Sequence, residues 1–140
     1  MAKASKAKSK WEAPFTGGFS TYSVDDVKAA KKFYGETLGL KVTEQEEGLA
    51  LEVPGDTTLF LYPKQDHEPA IFTVLNLQVD DVAEAVDSLT ERGVEFLQYD
   101  KPMKTDDKGI FWGGKSGKGP NIAWFEDPAG NILSVIEGET

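Results

Sequence analysis

The sequence predicts an α+β fold built from two tandem β-α-β-β-β units. The first observation is an internal repeat, in which Val24-Asp25-Asp26-Val27 recurs as Val79-Asp80-Asp81-Val82 at an offset of 55 residues. The second is that each copy opens a stretch of apolar residues at helical spacing. The third is that short apolar runs with alternating polarity follow each helix, separated by Gly and Pro turn signals. A repeat of this kind indicates one supersecondary unit used twice.

The first unit begins with a predicted strand over residues 18–24 and a helix that ends at Gly39. Asp25 and Asp26 stand where a helix N-cap and a first-turn acid belong, and glycine commonly ends a helix. Three predicted strands follow, over residues 40–46, 49–53 and 58–62. The apolar positions of the helix are Val27, Ala30, Phe33, Tyr34 and Leu38.

The second unit repeats this scheme with a strand over residues 71–79, a helix that ends at Gly93, and strands over residues 94–98, 121–126 and 131–137. The turn between the last two strands is Asp127-Pro128-Ala129-Gly130. The chain is therefore divided into a disordered basic tail over residues 1–14 and a single domain over residues 15–140. Unit one covers about residues 15–64, and unit two covers about residues 70–138.

Side chains along each predicted strand divide into two faces, because alternate residues of a strand point to opposite sides of the sheet. One face is uniformly apolar, as at Leu75 and Leu77, and is expected to pack beneath the helices. The other face mixes aromatic, branched and polar side chains, as the wall of a small-molecule cavity does. The alternative is that this mixed face simply meets water. The predicted ligand-binding residues on it are Phe19, Thr21, Phe60, Tyr62, Asn76, Gln78 and Ser134.

Two segments and the tandem units together resemble the vicinal oxygen chelate superfamily. The segments are the Phe-Tyr-x-x-x-Leu-Gly-Leu stretch from Phe33 to Leu40 and the closing stretch from Trp124 to Asn131. That superfamily holds glyoxalase I, the bleomycin-resistance proteins, the extradiol dioxygenases and the fosfomycin-resistance enzymes. The resemblance covers residues 18–137. It implies a pair of cup-shaped half-barrels with the helices outside and the ligand inside. It also implies a homodimer, with the cups completed either within the chain or across subunits.

The metal enzymes of this superfamily take one ligand from each of four strands, usually His, Gln or Glu. By register, the resemblance carries these positions to Phe19, Phe60, Val74 and Ser134. A divalent metal needs imidazole nitrogen or carboxylate oxygen at most of its ligand positions. The family metal site is therefore predicted to be missing, and no cofactor is expected.

The charge and composition of the chain exclude several other classes of function. The first ten residues carry +4 and the remaining 130 carry −13, against −9 for the whole chain. An acidic body repels phosphate backbones, so nucleic-acid and anionic-membrane binding by the folded part are not expected. The absence of cysteine excludes a disulfide scaffold and a thiolate metal site. With no long apolar run and no signal peptide, the chain is predicted to be cytoplasmic.

A glycine-rich segment, Gly109 to Ser116, matches the P-loop pattern GxxxxGK[ST] letter by letter. The match is rejected, because Phe and Trp occupy the loop and Gly117-Lys118-Gly119-Pro120 follows, which does not propagate a helix. A strand over residues 110–112 and a mobile glycine loop are predicted instead. Trp112 is then a candidate stacking surface over the cup, with Lys115 or Lys118 facing an anionic group. A merely flexible surface loop is the alternative.

The single histidine, His67, lies in the linker between the units and is predicted to be a solvated loop residue. Because a serine triad needs a histidine partner, no nucleophile is predicted. The sequence thus favours a metal-independent small-molecule-binding protein of the glyoxalase and bleomycin-resistance type, acting by sequestration. The alternative is a metal-free lyase or isomerase, or a dioxygenase-like enzyme, of the same superfamily.

Overall fold

The computed structural model describes residues 10–117 and 119–138, apart from the side chain of Ser116. Its first unit is a four-stranded sheet with one helix on it. The sheet order is β1-β4-β3-β2, with β1 parallel to β4 and the other pairs antiparallel. The predicted tail over residues 1–14 falls mainly outside the described residues. The elements are β1 (Ser20–Val24), α1 (Val27–Lys32) with a π-helical turn (Phe33–Thr37), β2 (Lys41–Gln45), β3 (Gly48–Val53) and β4 (Thr57–Pro63).

The second unit forms a sheet of the same order, β5-β8-β7-β6, with β5 parallel to β8. This identity of order confirms the predicted repeat of two β-α-β-β-β units and the α+β class. No helix among the described residues has the length and apolar character needed to cross a membrane. The elements are β5 (Thr73–Val79), α2 (Val82–Glu91), β6 (Ile110–Trp112), α3 (Gly113–Ser116), β7 (Asn121–Glu126) and β8 (Ile132–Glu137).

The repeated Val-Asp-Asp-Val segment plays the same structural role in both units. The second aspartate of each pair is the N-cap: Asp26 accepts a hydrogen bond from Ala29 N–H and Asp81 accepts one from Glu84 N–H, each at 3.1 Å. These bonds satisfy a backbone donor that the first turn of a helix leaves free. The capping prediction is therefore confirmed for the second aspartate of each copy.

The predicted strand over residues 94–98 is wrong. Phe96 forms only an isolated bridge with Phe125, and Leu97 N–H donates to Trp124 O at 2.8 Å. The chain then leaves the sheet and returns as β6, which pairs with the first half of β7. The strand predicted over residues 110–112 is confirmed as β6. The glycine-rich segment after β6 contains a single helical turn, α3, which ends at Gly117.

The inner faces of both sheets pack with the helices into one hydrophobic core. Sheet two contributes Leu75 and Phe125, and the side of each sheet away from this core is termed its outer face. On β5 the predicted alternation is confirmed at Leu75, which is buried, and at its neighbour Asn76, which is exposed. Fully buried residues from unit one include Val24, Tyr34, Leu49, Leu51 and Leu61.

A buried hydrogen-bond network joins the two units. The Tyr22 hydroxyl donates to Tyr34 Oη at 2.8 Å, and the Tyr34 hydroxyl donates to Asp127 Oδ2 at 2.7 Å. Asn131 Nδ2 donates to Ser23 O at 2.9 Å and to Asp127 Oδ2 at 3.1 Å. Burial raises the pKa of both tyrosines, so both hydroxyls keep the protons that these bonds need. Asp127 therefore accepts hydrogen bonds both from unit one, through Tyr34, and from the β7–β8 turn, through Asn131.

Two further contacts hold the units together. The Phe33 ring of the π-helical turn lies 6.2 Å from the Phe125 ring of β7. Arg92, which follows α2, donates through Nε to Thr37 O at 2.7 Å and through Nη2 to Glu36 O at 2.5 Å. Since those carbonyls end the helical segment of unit one, the guanidinium also satisfies acceptors that have no partner within the helix.

Candidate functional site

The outer face of sheet one presents two half-buried aromatic rings beside small side chains. Thr21 pairs in register with Phe60 and Ser23 pairs with Tyr62, and Ala50 flanks Phe60 on its other side. The Thr21 hydroxyl donates to Phe60 O at 2.6 Å. Both register neighbours of Phe60 are therefore small, and Phe60 itself is half-buried.

Two further residues near this face are Gly48, at the start of β3, and Phe19, just before β1. A Cβ on Gly48 would meet Phe60 Cζ at 3.1 Å, so the ring extends over the glycine. Phe19, predicted as a ligand-binding residue, precedes β1 and is 68% exposed. The residue therefore lies next to the first strand of sheet one and is largely exposed.

The outer face of sheet two carries a polar pair in the middle of an aromatic and aliphatic surface. Ser134 is fully buried, and its hydroxyl donates to Asn76 Oδ1 at 2.5 Å. Within the described part of the chain, Asn76 Nδ2 has no hydrogen-bond partner, so the amide offers a donor to a ligand. Gln78 is exposed one step further along β5 and pairs in register with Ile136.

Trp124 on this outer face is a residue that the sequence analysis did not propose. It pairs in register with Ser134, is 9% exposed and meets the Tyr99 ring edge to face at 5.4 Å. The alternation in β7 carried the signal, because Ala123 and Phe125 lie in the core and their neighbour must face outward. A cavity of about 300 Å³ lies here, lined by Ile71, Phe72, Thr73, Tyr99, Met103, Trp124 and Ile132.

Trp112 does not lie over the outer face, where the sequence analysis placed it. It follows Ile110 by two residues, packs against the core, and donates through Nε1 to Asp106 Oδ2 at 2.9 Å. Strand alternation puts Phe111 on the outer face instead, paired with Ile122. The position of Trp112 is corrected accordingly, to the margin of a cavity of about 520 Å³ next to the loop over residues 102–106.

The lysines predicted near this loop are only partly within the described chain. Lys115 places Nζ 5.2 Å from the centre of the Trp112 ring, a cation–π contact. Lys118 lies outside the described residues. The Lys115 ammonium therefore pairs with the ring and is not directed at an anion in this structure.

The predicted ligand-binding residues of one chain do not all border the same cavity. Asn76 and Gln78 border a cavity of about 630 Å³ between α2 and the β3–β4 turn, whose other walls are largely aliphatic. Thr21 borders a separate cavity of about 320 Å³ between β1 and the start of β5. Phe19, Phe60, Tyr62 and Ser134 border neither of these cavities, nor the two cavities of about 300 Å³ and 520 Å³ described above.

A comparison with known protein families agrees with the repeat and with the two sheet orders. The model of the Glyoxalase/Bleomycin resistance protein/Dioxygenase superfamily matches residues 18–135. The chain belongs to this superfamily. A comparison with curated proteins finds no match.

Solved structures of superfamily members share the fold over most of the chain. TnmS3, an antibiotic binding protein from Streptomyces sp. CB03234, is 26% identical with a TM-score of 0.57, covering 89% of this chain and 98% of that one. A member from Sphaerobacter thermophilus DSM 20745 is 26% identical with a TM-score of 0.60, covering 88% and 98%. A bleomycin-binding protein complexed with bleomycin is 22% identical with a TM-score of 0.61, covering 89% and 100%. Binding of small molecules is thus a function within this superfamily.

A divalent metal does not fit the four positions that the resemblance assigns to metal ligands in this chain. Phe19, Phe60 and Val74 offer only carbon, and the Ser134 hydroxyl is engaged by Asn76. One hydroxyl is not a ligand set for a divalent ion. Across residues 10–117 and 119–138, no group of three His, Cys, Asp or Glu side chains is placed to hold a metal.

His67 is not the solvated loop residue that the sequence analysis predicted. It is half-buried, with Nδ1 2.6 Å from Ser23 Oγ and Nε2 2.9 Å from Ala129 O. The linker is held against unit one, because Lys64 N–H donates to Val24 O and His67 N–H donates to Lys64 O. The sequence contained no local signal for this contact, since both partners of the ring are more than 40 residues away.

Proposed function

We propose that this protein binds a planar aromatic small molecule on its outer faces, without a metal and without altering it chemically. The main observation behind this proposal is the half-buried Phe60 ring, which lies between Thr21 and Ala50 on the outer face. In the proposed complex the ring stacks on a flat ligand. The likeness to TnmS3, an antibiotic binding protein, supports the binding of a small molecule.

The polar groups on the outer faces and the net charge of the chain indicate the charge and the hydrogen-bonding groups of the ligand. The amide of Asn76 supplies a donor beside the buried Ser134 hydroxyl, and Gln78 adds a second amide on the same face. Residues 11–140 carry a net charge of −13, which raises the local concentration of cations and lowers that of anions. A neutral or cationic aromatic compound with one or two hydrogen-bond acceptors therefore fits best.

Phe60→Ala is expected to weaken binding of such a compound by about 1 kcal/mol or more, or about fivefold in Kd, because stacking on the ring is lost. The measurement is a titration of purified protein with a panel of aromatic antibiotics that includes bleomycin. Thr90→Ala is the control, since Thr90 is exposed on α2 and lies outside both sheets. An affinity that Phe60→Ala leaves unchanged would remove this ring from the site.

Sequestration also requires that the bound compound be recovered intact. After prolonged incubation with the protein and extraction, chromatography is expected to return the unmodified compound. A product that accumulates over many turnovers would instead support the lyase or isomerase alternative, which uses the same faces.

We also propose that the protein is a homodimer, in which a second copy completes the cups. Large apolar side chains are exposed along the N-terminal segment and the start of unit two, including Trp11 at 76%, Ile71 at 94% and Phe72 at 66%. Large exposed apolar side chains that are adjacent in the chain, as Ile71 and Phe72 are, are typical of interaction surfaces. The edge strands β2 and β6 add backbone groups that a partner would cover.

Light scattering at micromolar concentration is expected to give about twice the 15.3 kDa of one chain. A chain that begins at Trp11 is expected to give the same result, because the basic residues before it add no apolar surface. A monomer mass for the full chain contradicts the dimer, and a dimer formed by the full chain alone would assign the interface to the tail.

A further inference from the structure

The contact between Ser23 and His67 has the geometry of a hydroxyl beside a base. Ser23 Oγ lies 2.6 Å from Nδ1, and Nε2 of the same ring lies 2.9 Å from Ala129 O. A carbonyl oxygen only accepts hydrogen bonds, so in the neutral ring Nε2 carries the proton and Nδ1 offers a lone pair. Ser23 therefore donates its hydroxyl proton to Nδ1.

The third group, Ala129 O, is held rigidly. Its turn is fixed by Asp127 Oδ1, which accepts from Ala129 N–H and from Asn131 N–H, each at 2.9 Å. Asp127 and Asn131 are both buried. A nucleophile, a base that contacts it and a third group that orients the base form the arrangement that activates a hydroxyl for covalent chemistry.

Ser23 also faces a space large enough for a small substrate. It lines the cavity of about 320 Å³ between β1 and the start of β5, together with Thr21, Phe72, Thr73 and Glu68. The Glu68 carboxylate and the acidic body disfavour an anionic substrate. The apolar Phe72 ring and the hydroxyls suit a small neutral molecule.

We propose that Ser23 and His67 are a nucleophile and its base, and that they transfer acyl groups from small neutral esters. Ser23 Oγ forms a bond to the ester carbonyl carbon while its proton passes to His67 Nδ1. The bond from that carbon to the leaving oxygen then breaks, and the leaving alcohol takes the proton from Nδ1. Water hydrolyses the acyl-serine by the same steps and restores both side chains. This activity differs from the proposed binding of aromatic compounds at Phe60, where the compound stays unchanged, although Thr21 borders both places.

The test probe is p-nitrophenyl acetate, with the acetylated residue located by peptide mass mapping. Ser23 is expected to be acetylated at least about tenfold faster than Ser20, an exposed serine on the same strand. Ser23→Ala should abolish the early release of p-nitrophenol, while Ser88→Ala, the control at an exposed serine of α2 outside this cavity, should leave it unchanged. His67→Gln should slow acetylation of Ser23 at least about tenfold.

A second measurement keeps the test valid if His67→Gln does not fold. The chain has one histidine, so diethyl pyrocarbonate modifies a single imidazole in the folded wild-type protein. This modification is expected to stop acetylation of Ser23, and hydroxylamine is expected to restore it. The proposal is overturned if Ser23 is not acetylated faster than Ser20, or if its acetylation is as fast after His67 is modified or replaced.

Discussion

Asp127→Ala is expected to lower the free energy of unfolding by about 3 kcal/mol or more. The carboxylate accepts from the Tyr34 hydroxyl at 2.7 Å, from two backbone N–H groups at 2.9 Å and from Asn131 Nδ2 at 3.1 Å. Its removal leaves these buried donors without an acceptor, and each such donor is costly. Urea unfolding followed by circular dichroism measures the loss.

Tyr34→Phe is the companion variant, because it removes one donor from the same network and leaves the other bonds to Asp127 in place. It is expected to cost about 1–2 kcal/mol, clearly less than Asp127→Ala. A loss below about 1 kcal/mol for Asp127→Ala would show that the junction between the units does not depend on this carboxylate.

Phe125→Ala is expected to destabilise the protein by about 3–5 kcal/mol, the largest effect of any single substitution considered. The ring is fully buried and lies 6.2 Å from Phe33 of unit one and 5.4 Å from Phe96 of unit two. Its removal leaves a cavity in the core that the two units share. The same unfolding experiment measures it.

Phe60→Ala is the matched control, since it is the same chemical change on an outer face. Phe60 is only half-buried, so its truncation is expected to cost less than half as much as Phe125→Ala. Equal losses from the two variants would contradict the assignment of inner and outer faces.

Local patterns explain why most of the fold could be predicted from the sequence. The N-caps at Asp26 and Asp81 and the alternation that buries Leu75 beside exposed Asn76 depend on neighbouring residues only. The repeat supported these predictions, because an element predicted in one copy is expected in the other. The two sheets do have the same strand order. The alternation in β7 would also have found Trp124.

Long-range contacts explain what the sequence did not reveal. Residues 94–98 have a strand-like pattern, but β6 pairs with the first half of β7 on that edge, and Phe96 is left with one bridge. His67 looked like a linker residue because its partners, Ser23 and Ala129, come from β1 and from the β7–β8 turn. Such contacts depend on how the units pack, which no local period encodes.

The binding of aromatic compounds to protein dialysed against EDTA tests the central claim most directly. Thermal unfolding is followed with the antibiotic panel that includes bleomycin, before and after dialysis, since a ligand of the folded state raises Tm. At least one compound is expected to raise Tm by the same amount in both preparations. The account is contradicted if no compound raises Tm, or if the rise disappears after dialysis and returns on addition of a divalent metal.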